Sequence, residues 1–294
     1  MIKTNNLTIV KSMACLVIVA AFFIGFHAGT PSANAAEPEY TSEFPLATCS
    51  FSTIGENPYF MLLPGYQLVL EGEEDGEDIK LVITVLNETE LIDMTAEGMG
   101  MIVARIVEER EWEGGDLVEV SRNFFARCKD TNDVYYFGED VDDYEDGQIV
   151  GNEGAWKAGE NGAKPGLIMP GTWILGARYF QEMADEAMDR AINGQSGVTR
   201  NTPAGEFTDC VVIRETTPLE ADEVSFKFYA PGVGLIYDDG IELVEFGFNI
   251  FEIDEGDDGG DDGDDDGDDD GDDDGDDDGD DDGDDDGDDD GDDA

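Results

Sequence analysis

The sequence predicts a mainly β protein: a single antiparallel sheet curled into a sandwich or a partly open barrel. Two observations carry this expectation. Short runs of branched, aliphatic and aromatic residues recur from Tyr66 to Phe248. Gly, Pro and acidic turn signals punctuate them at regular intervals, the pattern of an antiparallel sheet rather than of strands alternating with helices.

Taken in order, Tyr66–Leu70 and Ile79–Leu86 flank the acidic stretch Glu71–Asp78 and suggest a hairpin with a long tip. Met101–Glu108 and Leu117–Arg127 repeat the arrangement around Glu113-Gly114-Gly115-Asp116, and Val134–Gly138 adds a short aromatic strand. After Gly205 four more runs follow: Phe207–Arg214, Val224–Ala230, Gly234–Tyr237 and Ile241–Phe248. Residues 151–176 carry seven glycines with Pro165 and Pro170 among Trp156, Leu167, Ile168, Met169 and Trp173. An irregular segment with that many apolar side chains is expected to pack over the sheet as a cover. Ala177–Ile192 stands apart. Phe180, Met183, Ala184, Ala187, Met188 and Ala191 recur at helical spacing, so a single helix over 177–192 is one reading and a hairpin the other.

The ends of the chain are of another kind. Lys3 and Lys11 precede an apolar run from Met13 to Phe26, and small residues lead to Ala33-Asn34-Ala35. Residues 1–35 therefore read as a secretory signal cleaved after Ala35, with an uncleaved anchor as the alternative. Cys15 lies inside the apolar run, which argues against a lipoprotein cysteine. The expected organisation is this signal, an extension over 36–50, one β domain over 51–253 and an acidic tail over 254–294. From Gly263 the tail repeats Gly-Asp-Asp-Asp. Without apolar side chains it has nothing to bury against chain entropy, so disorder is expected.

Charge and composition then exclude several chemistries. Of 74 acidic residues, 27 are Asp in residues 256–294, and two of the 15 basic residues lie in the signal, leaving the rest near −34. Such a surface repels nucleic acid and anionic membrane alike. Self-repulsion of this size points to a salty or divalent-rich habitat. Cleavage removes His27, the only histidine, so histidine-based triads and imidazole–zinc sites have no ligand. Cys49, Cys128 and Cys210 remain; one disulfide and one free thiol are expected, in any of three pairings. No phosphate-binding glycine loop opens a helix.

Several strings occur together and in order: Asn57-Pro58-Tyr59-Phe60, Leu63-Pro64-Gly65-Tyr66, Tyr136-Phe137-Gly138-Glu139-Asp140, Gly154–Gly159 through Ile168-Met169-Pro170-Gly171, Thr217-Pro218-Leu219-Glu220 and Tyr229–Leu235. Through them the chain, from about Cys49 to Phe248, resembles a widespread group of exported bacterial proteins without an assigned function. The resemblance implies a curled antiparallel sheet of periplasmic or secreted binding type and supplies no catalytic residues. In similar sequences a Gly falls near the middle of the stretch matching 177–192. That implies a hairpin there, although this chain has Ala184-Asp185-Glu186-Ala187.

Carboxylates are the remaining source of chemistry. Glu139–Asp146 places six in eight residues, and Asp140, Asp142, Asp143, Glu145 and Asp146 are the candidate Ca²⁺ ligands, since calcium favours many oxygens on a flexible loop. The alternative is a solvated acidic turn, because the EF-hand register is not met. Tyr135, Tyr136, Phe137, Trp156, Trp173 and Phe180 line a pocket or fill the core. The expected function is an exported, non-enzymatic β domain that binds a ligand or envelope partner, with a tail that weakly binds divalent cations. The alternatives are a carboxylate-dependent hydrolase of extracellular polymer and a protein whose tail contacts mineral or matrix. A hydrolase would bring two buried carboxyl groups together beside an aromatic platform.

Overall fold

The computed structural model describes residues 39–251 except 75 and 221–223; the signal segment and the tail lie outside the described residues. The chain is mainly β. In order the strands are β1 (Phe51–Ser52), β2 (Gly55–Asn57), β3 (Phe60–Leu62), β4 (Tyr66–Glu74), β5 (Glu77–Met94) and β6 (Gly100–Glu113). Next come β7 (Asp116–Cys128), β8 (Val134–Glu145), β9 (Gln148–Gly151), β10 (Trp156–Lys157), β11 (Lys164–Met169) and β12 (Arg178–Phe180). The last are β13 (Glu182–Met183), β14 (Arg190–Thr202), β15 (Gly205–Thr216), β16 (Ser225–Ala230), β17 (Gly234–Asp238) and β18 (Ile241–Phe248). One 3-10 turn, Leu46–Thr48, precedes β1. Among the described residues no helix is long and apolar enough to cross a membrane.

The main sheet is antiparallel and runs β12-β14-β15-β16-β17-β18-β4-β5-β6-β7-β8-β11-β13. Its two ends are neighbours in sequence: β12 stops at Phe180, β13 starts at Glu182, and Gln181 alone joins them. Gln181 donates its backbone N–H to Asp189 O at 2.8 Å. The sheet is thus nearly closed into a barrel. Curvature of this kind needs local breaks in register. The sharpest lies between Val85 and Thr89 of β5, which face Val107 and Arg105 of β6. The carbonyls freed there are met by Arg105, whose Nη1 donates to Leu86, Asn87 and Glu88 at 3.3, 2.8 and 3.1 Å. Its Nε donates to Thr53 O at 2.8 Å. One guanidinium fork therefore satisfies four backbone oxygens that no ladder reaches.

One open alternative is decided and two expectations change. Residues 177–192 follow the hairpin reading and not the helical one: β12, β13 and the start of β14 occupy them, with a turn closed by Ala184 N–H donating to Ala187 O at 2.8 Å. Tyr179 pairs with Ala191 and Phe180 with Arg190, so Phe180 and Ala191, which share the helical spacing, lie on two paired strands instead. Propensity lost to the pairing offered by neighbouring strands. The Gly-rich segment is no cover; β10 and β11 pair with β8 and extend the sheet. Glycine at 166 lets that happen, since a Cβ there would collide with the backbone of Gln181. The acidic tip of the first hairpin is short, because pairing continues out to Glu74 and Glu77.

Cys49 and Cys128 form the disulfide, 79 positions apart in sequence and with Cα atoms 5.1 Å apart; Cys210 is free and buried. The bridge ties the segment before β1 to the end of β7, where β1 also pairs. Phe44 and Phe51 pack edge-on against Tyr135, outside the barrel wall.

Candidate functional site

A cavity of about 180 Å³ lies inside the barrel. Its lining follows from strand alternation, which sends every second side chain inward. Along β6, Val107, Glu109 and Glu111 face one way; across the ladder they meet Asn123, Ser121 and Glu119 of β7. On the other side Val107 meets Val85 and Glu109 meets Ile83 of β5. Along β7 and β8, Phe125 faces Tyr136 and Asn123 faces Glu139. On β16 the cavity residues are Tyr229 and Lys227. Strands β6, β7, β8 and β16 therefore each carry an apolar or aromatic side chain at one level and a polar or charged one at another, while β5 presents Val85 and Ile83. Aromatic and aliphatic groups such as Phe60, Tyr66, Leu68 and Leu235 line one part, while Glu109, Glu139, Glu182, Asp189, Glu215 and Asp238 line another.

One cation stands among those six carboxylates. Lys227 Nζ lies 3.2 Å from Glu215 Oε2 and 3.3 Å from Asp238 Oδ2. Gln181 donates its Nε2 to Glu215 Oε1 at 2.7 Å. Tyr136 donates its hydroxyl to Asn123 Oδ1. On the lining residue Gln181, Oε1 has no donor among the described residues, whereas the neighbouring Glu182 carboxyl has the Trp156 indole as a donor. Both side chains belong to residues that are more than nine-tenths buried, at 3% and 5% exposure.

Crowding of carboxylates in a poorly solvated space disfavours their ionised form. Burial pushes Glu109 up to about 7, opposed by Lys227 and reinforced by Asp238 and Glu215. Burial also lifts Glu139 to about 8 and Asp189 to about 6, with added repulsion from Glu109 and Glu215 respectively. Glu182 is driven well above the ordinary carboxylate range, again first by burial and then by Asp189 and Glu139. The acidic row continues beyond the cavity to Glu111 and Glu119, lifted by burial to about 7 and about 9. Several of these groups hold a proton at neutral pH. They can donate hydrogen bonds as acids or, once ionised, attract a cation.

The five candidate calcium ligands sit elsewhere. Asp140, Asp142, Asp143 and Glu145 are strung along β8, and Asp146 occupies the turn that follows. Strand alternation puts Asp140 and Asp142 on one face and Asp143 and Glu145 on the other. Asp142 Oδ2 accepts from Arg122 Nη1 at 2.8 Å, and Asp143 Oδ2 accepts the Glu153 N–H at 2.9 Å. Among the described residues no group of three or more acidic, Cys or His side chains is arranged to hold a metal ion. Of the six aromatic residues singled out from sequence, Tyr136 lines the cavity; Tyr135 and Phe137 are buried in the core.

Sequence reasoning missed the interior carboxylates because it weighed acidic residues as surface. The signal was the parity of Val107, Glu109 and Glu111, which continues an apolar inward row into charge. It becomes readable only once the sheet is known to close, since in an open sheet the same face is solvated. Comparisons with protein-family models, with curated proteins and with solved structures find no match for this chain.

Proposed function

We propose that this is an exported, non-enzymatic binding protein whose barrel holds a small molecule, with an acidic tail that weakly attracts divalent cations such as Ca²⁺. The carrying observation is the interior cavity, half aromatic and aliphatic, half polar, with its polar groups converging from β6, β8, β15, β16 and the Gln181–Asp189 turn. Concave, largely apolar sites with a few convergent polar groups are the usual form of a small-molecule site. Export rests on the N-terminal charge, apolar run and small-x-small sequence. The tail reading rests on carboxylate density.

A neutral fluorescent probe, N-phenyl-1-naphthylamine, tests the cavity. The mature protein is expected to bind it with enhanced emission. Val85→Phe and Leu235→Phe, which fill the apolar half, are expected to abolish the enhancement while leaving the near-ultraviolet dichroism intact. Folded variants that bind as the wild type does would refute the reading. For the tail, calorimetric calcium titration of the mature protein and of a form ending before Gly256 should show weak heats that truncation removes.

A second reading, a carboxylate-dependent hydrolase, is favoured by one observation: protonated and ionised carboxyl groups share a space beside Tyr136 and Phe125. Hydrolysis needs one of each flanking the scissile bond. Release of reducing ends from soluble glycans, lost in Glu182→Gln, would establish it over the binding reading.

A further inference from the structure

Resting on the reading of the cavity as a small-molecule site, we propose that its ligand is an organic cation: an ammonium group carried on an apolar body. Three features converge on that class. The polar part of the lining holds six carboxylates against the single ammonium of Lys227, which is already seated between Glu215 and Asp238. Gln181 and Glu182, 3% and 5% exposed, line the cavity, and Gln181 Oε1 is an acceptor with no donor among the described residues. An acceptor kept from water without a donor is costly to leave unmade, and an ammonium brings three donors. The remaining lining is aliphatic and aromatic, its rings those of Tyr59, Phe60, Tyr66, Phe125, Tyr136 and Tyr229. Such faces attract a cation as well as an apolar chain. A carboxylate or phosphate ligand would face six carboxyl groups against the one ammonium of Lys227. A bare metal ion would leave the aromatic half empty, and among the described residues no side-chain cluster is set to ligate one.

The chemistry has a precedent inside the fold. Lys157 Nζ lies 5.0 Å from the Phe124 ring centroid while bonding Glu90 Oε1 at 2.8 Å. An ammonium between a ring and a carboxylate is therefore an arrangement this sheet already makes for itself. The cavity offers the same two surroundings with room for a guest.

The test uses the mature full-length protein, with N-phenyl-1-naphthylamine as reporter and three competitors of equal length: octylammonium, 1-octanol and octanoate. Displacement reads the cavity alone, so octylammonium held by the acidic surface or tail does not register. Octylammonium is expected to displace the probe at about tenfold lower concentration than octanol, with octanoate weaker than both. Glu182→Gln and, independently, Glu139→Gln should shrink the octylammonium advantage while leaving octanol displacement as it was. Octanol matching octylammonium, or an advantage that both variants retain, would overturn the cation assignment and leave the small-molecule site standing. A probe that does not bind at all would overturn the site itself, and the assignment with it.

Discussion

Raising the pH from about 5 to about 8 is expected to destabilise the folded protein. Interior carboxylates whose folded pKa is raised bind more protons in the native state than in the unfolded state. Stability is therefore fully present below the unfolded pKa and is lost as pH climbs through the folded one. Glu109 moves from 4.5 to about 7, which corresponds to a loss of about 2.5 kcal/mol across this window. Asp189, moving from 3.8 to about 6, loses about 1.4 kcal/mol over the same range. The losses overlap, because each group is raised partly by its neighbours. A total near 3 kcal/mol follows, or a fall in Tm of about 6–12 °C for a domain of this size. Exposed carboxylates titrate near 4 and contribute little above pH 5, so the tail and surface stay out of the measurement. Calorimetric scans in steps of half a pH unit give the slope. Glu109→Gln should recover about 2 kcal/mol at the alkaline end and nothing at the acid end. A Tm that is flat or rises with pH, or a slope indifferent to Glu109→Gln, would refute the placement of these carboxylates in a poorly solvated interior.

Other perturbations probe the scaffold. Replacing Cys49 and Cys128 by Ser opens a loop of 79 residues and should cost about 4.5 kcal/mol, read by urea unfolding against the oxidised protein. Asn57→Ala removes bonds from Nδ2 to Asn132 O at 2.8 Å and Pro170 O at 3.1 Å and from the Tyr59 N–H to Oδ1 at 2.8 Å. The loss of two buried carbonyl partners predicts about 2–3 kcal/mol in the same assay. Gly166→Ala should destabilise by more than about 2 kcal/mol, since the new methyl meets the Gln181 backbone where β11 passes β13. Molar salt should raise the midpoint of the wild type by screening the body's negative surface, and equal stability in salt-free buffer would argue against a salty habitat.

The sheet itself was legible because hydrophobic alternation and turn residues act locally. Tyr66–Leu70, Leu117–Arg127 and Ile241–Phe248 lie within observed strands of nearly the same bounds. What lay beyond reach was set by partners distant in sequence. Residues 177–192 have helical spacing, yet pairing of Arg178, Tyr179 and Phe180 with β14 decides their conformation. The Gly-rich segment reads as irregular until β8 is found beside it, with Trp156 opposite Glu139 and Gly166 opposite Tyr136. The acidic stretch 71–78 reads as loop because charge is rare in strands, but the two strands of a hairpin can extend outward paired to each other, here out to Glu74 and Glu77. The site was hidden for the same reason: Glu109 and Glu182 are far apart in the chain and share a space only because Gln181 brings the sheet's ends together.

The interior row of carboxylates conflicts with the rest of the barrel's construction. A structural interior would continue the pattern of Leu81, Ile83 and Val85 around the wall, or use neutral Ser and Asn as β7 does at Ser121 and Asn123. Instead Glu109, Glu139 and Glu182 line one cavity with raised pKa values, and the single ammonium of Lys227, paired with Glu215 and Asp238, offsets only part of the repulsion. Local departures from what stability favours concentrate where a protein does its work. Such a site has two ways to relieve its repulsion, by taking up protons or by taking up a cation, and the two compete for the same oxygens. A cationic guest would therefore stabilise the fold most at the alkaline end, where the empty barrel is weakest.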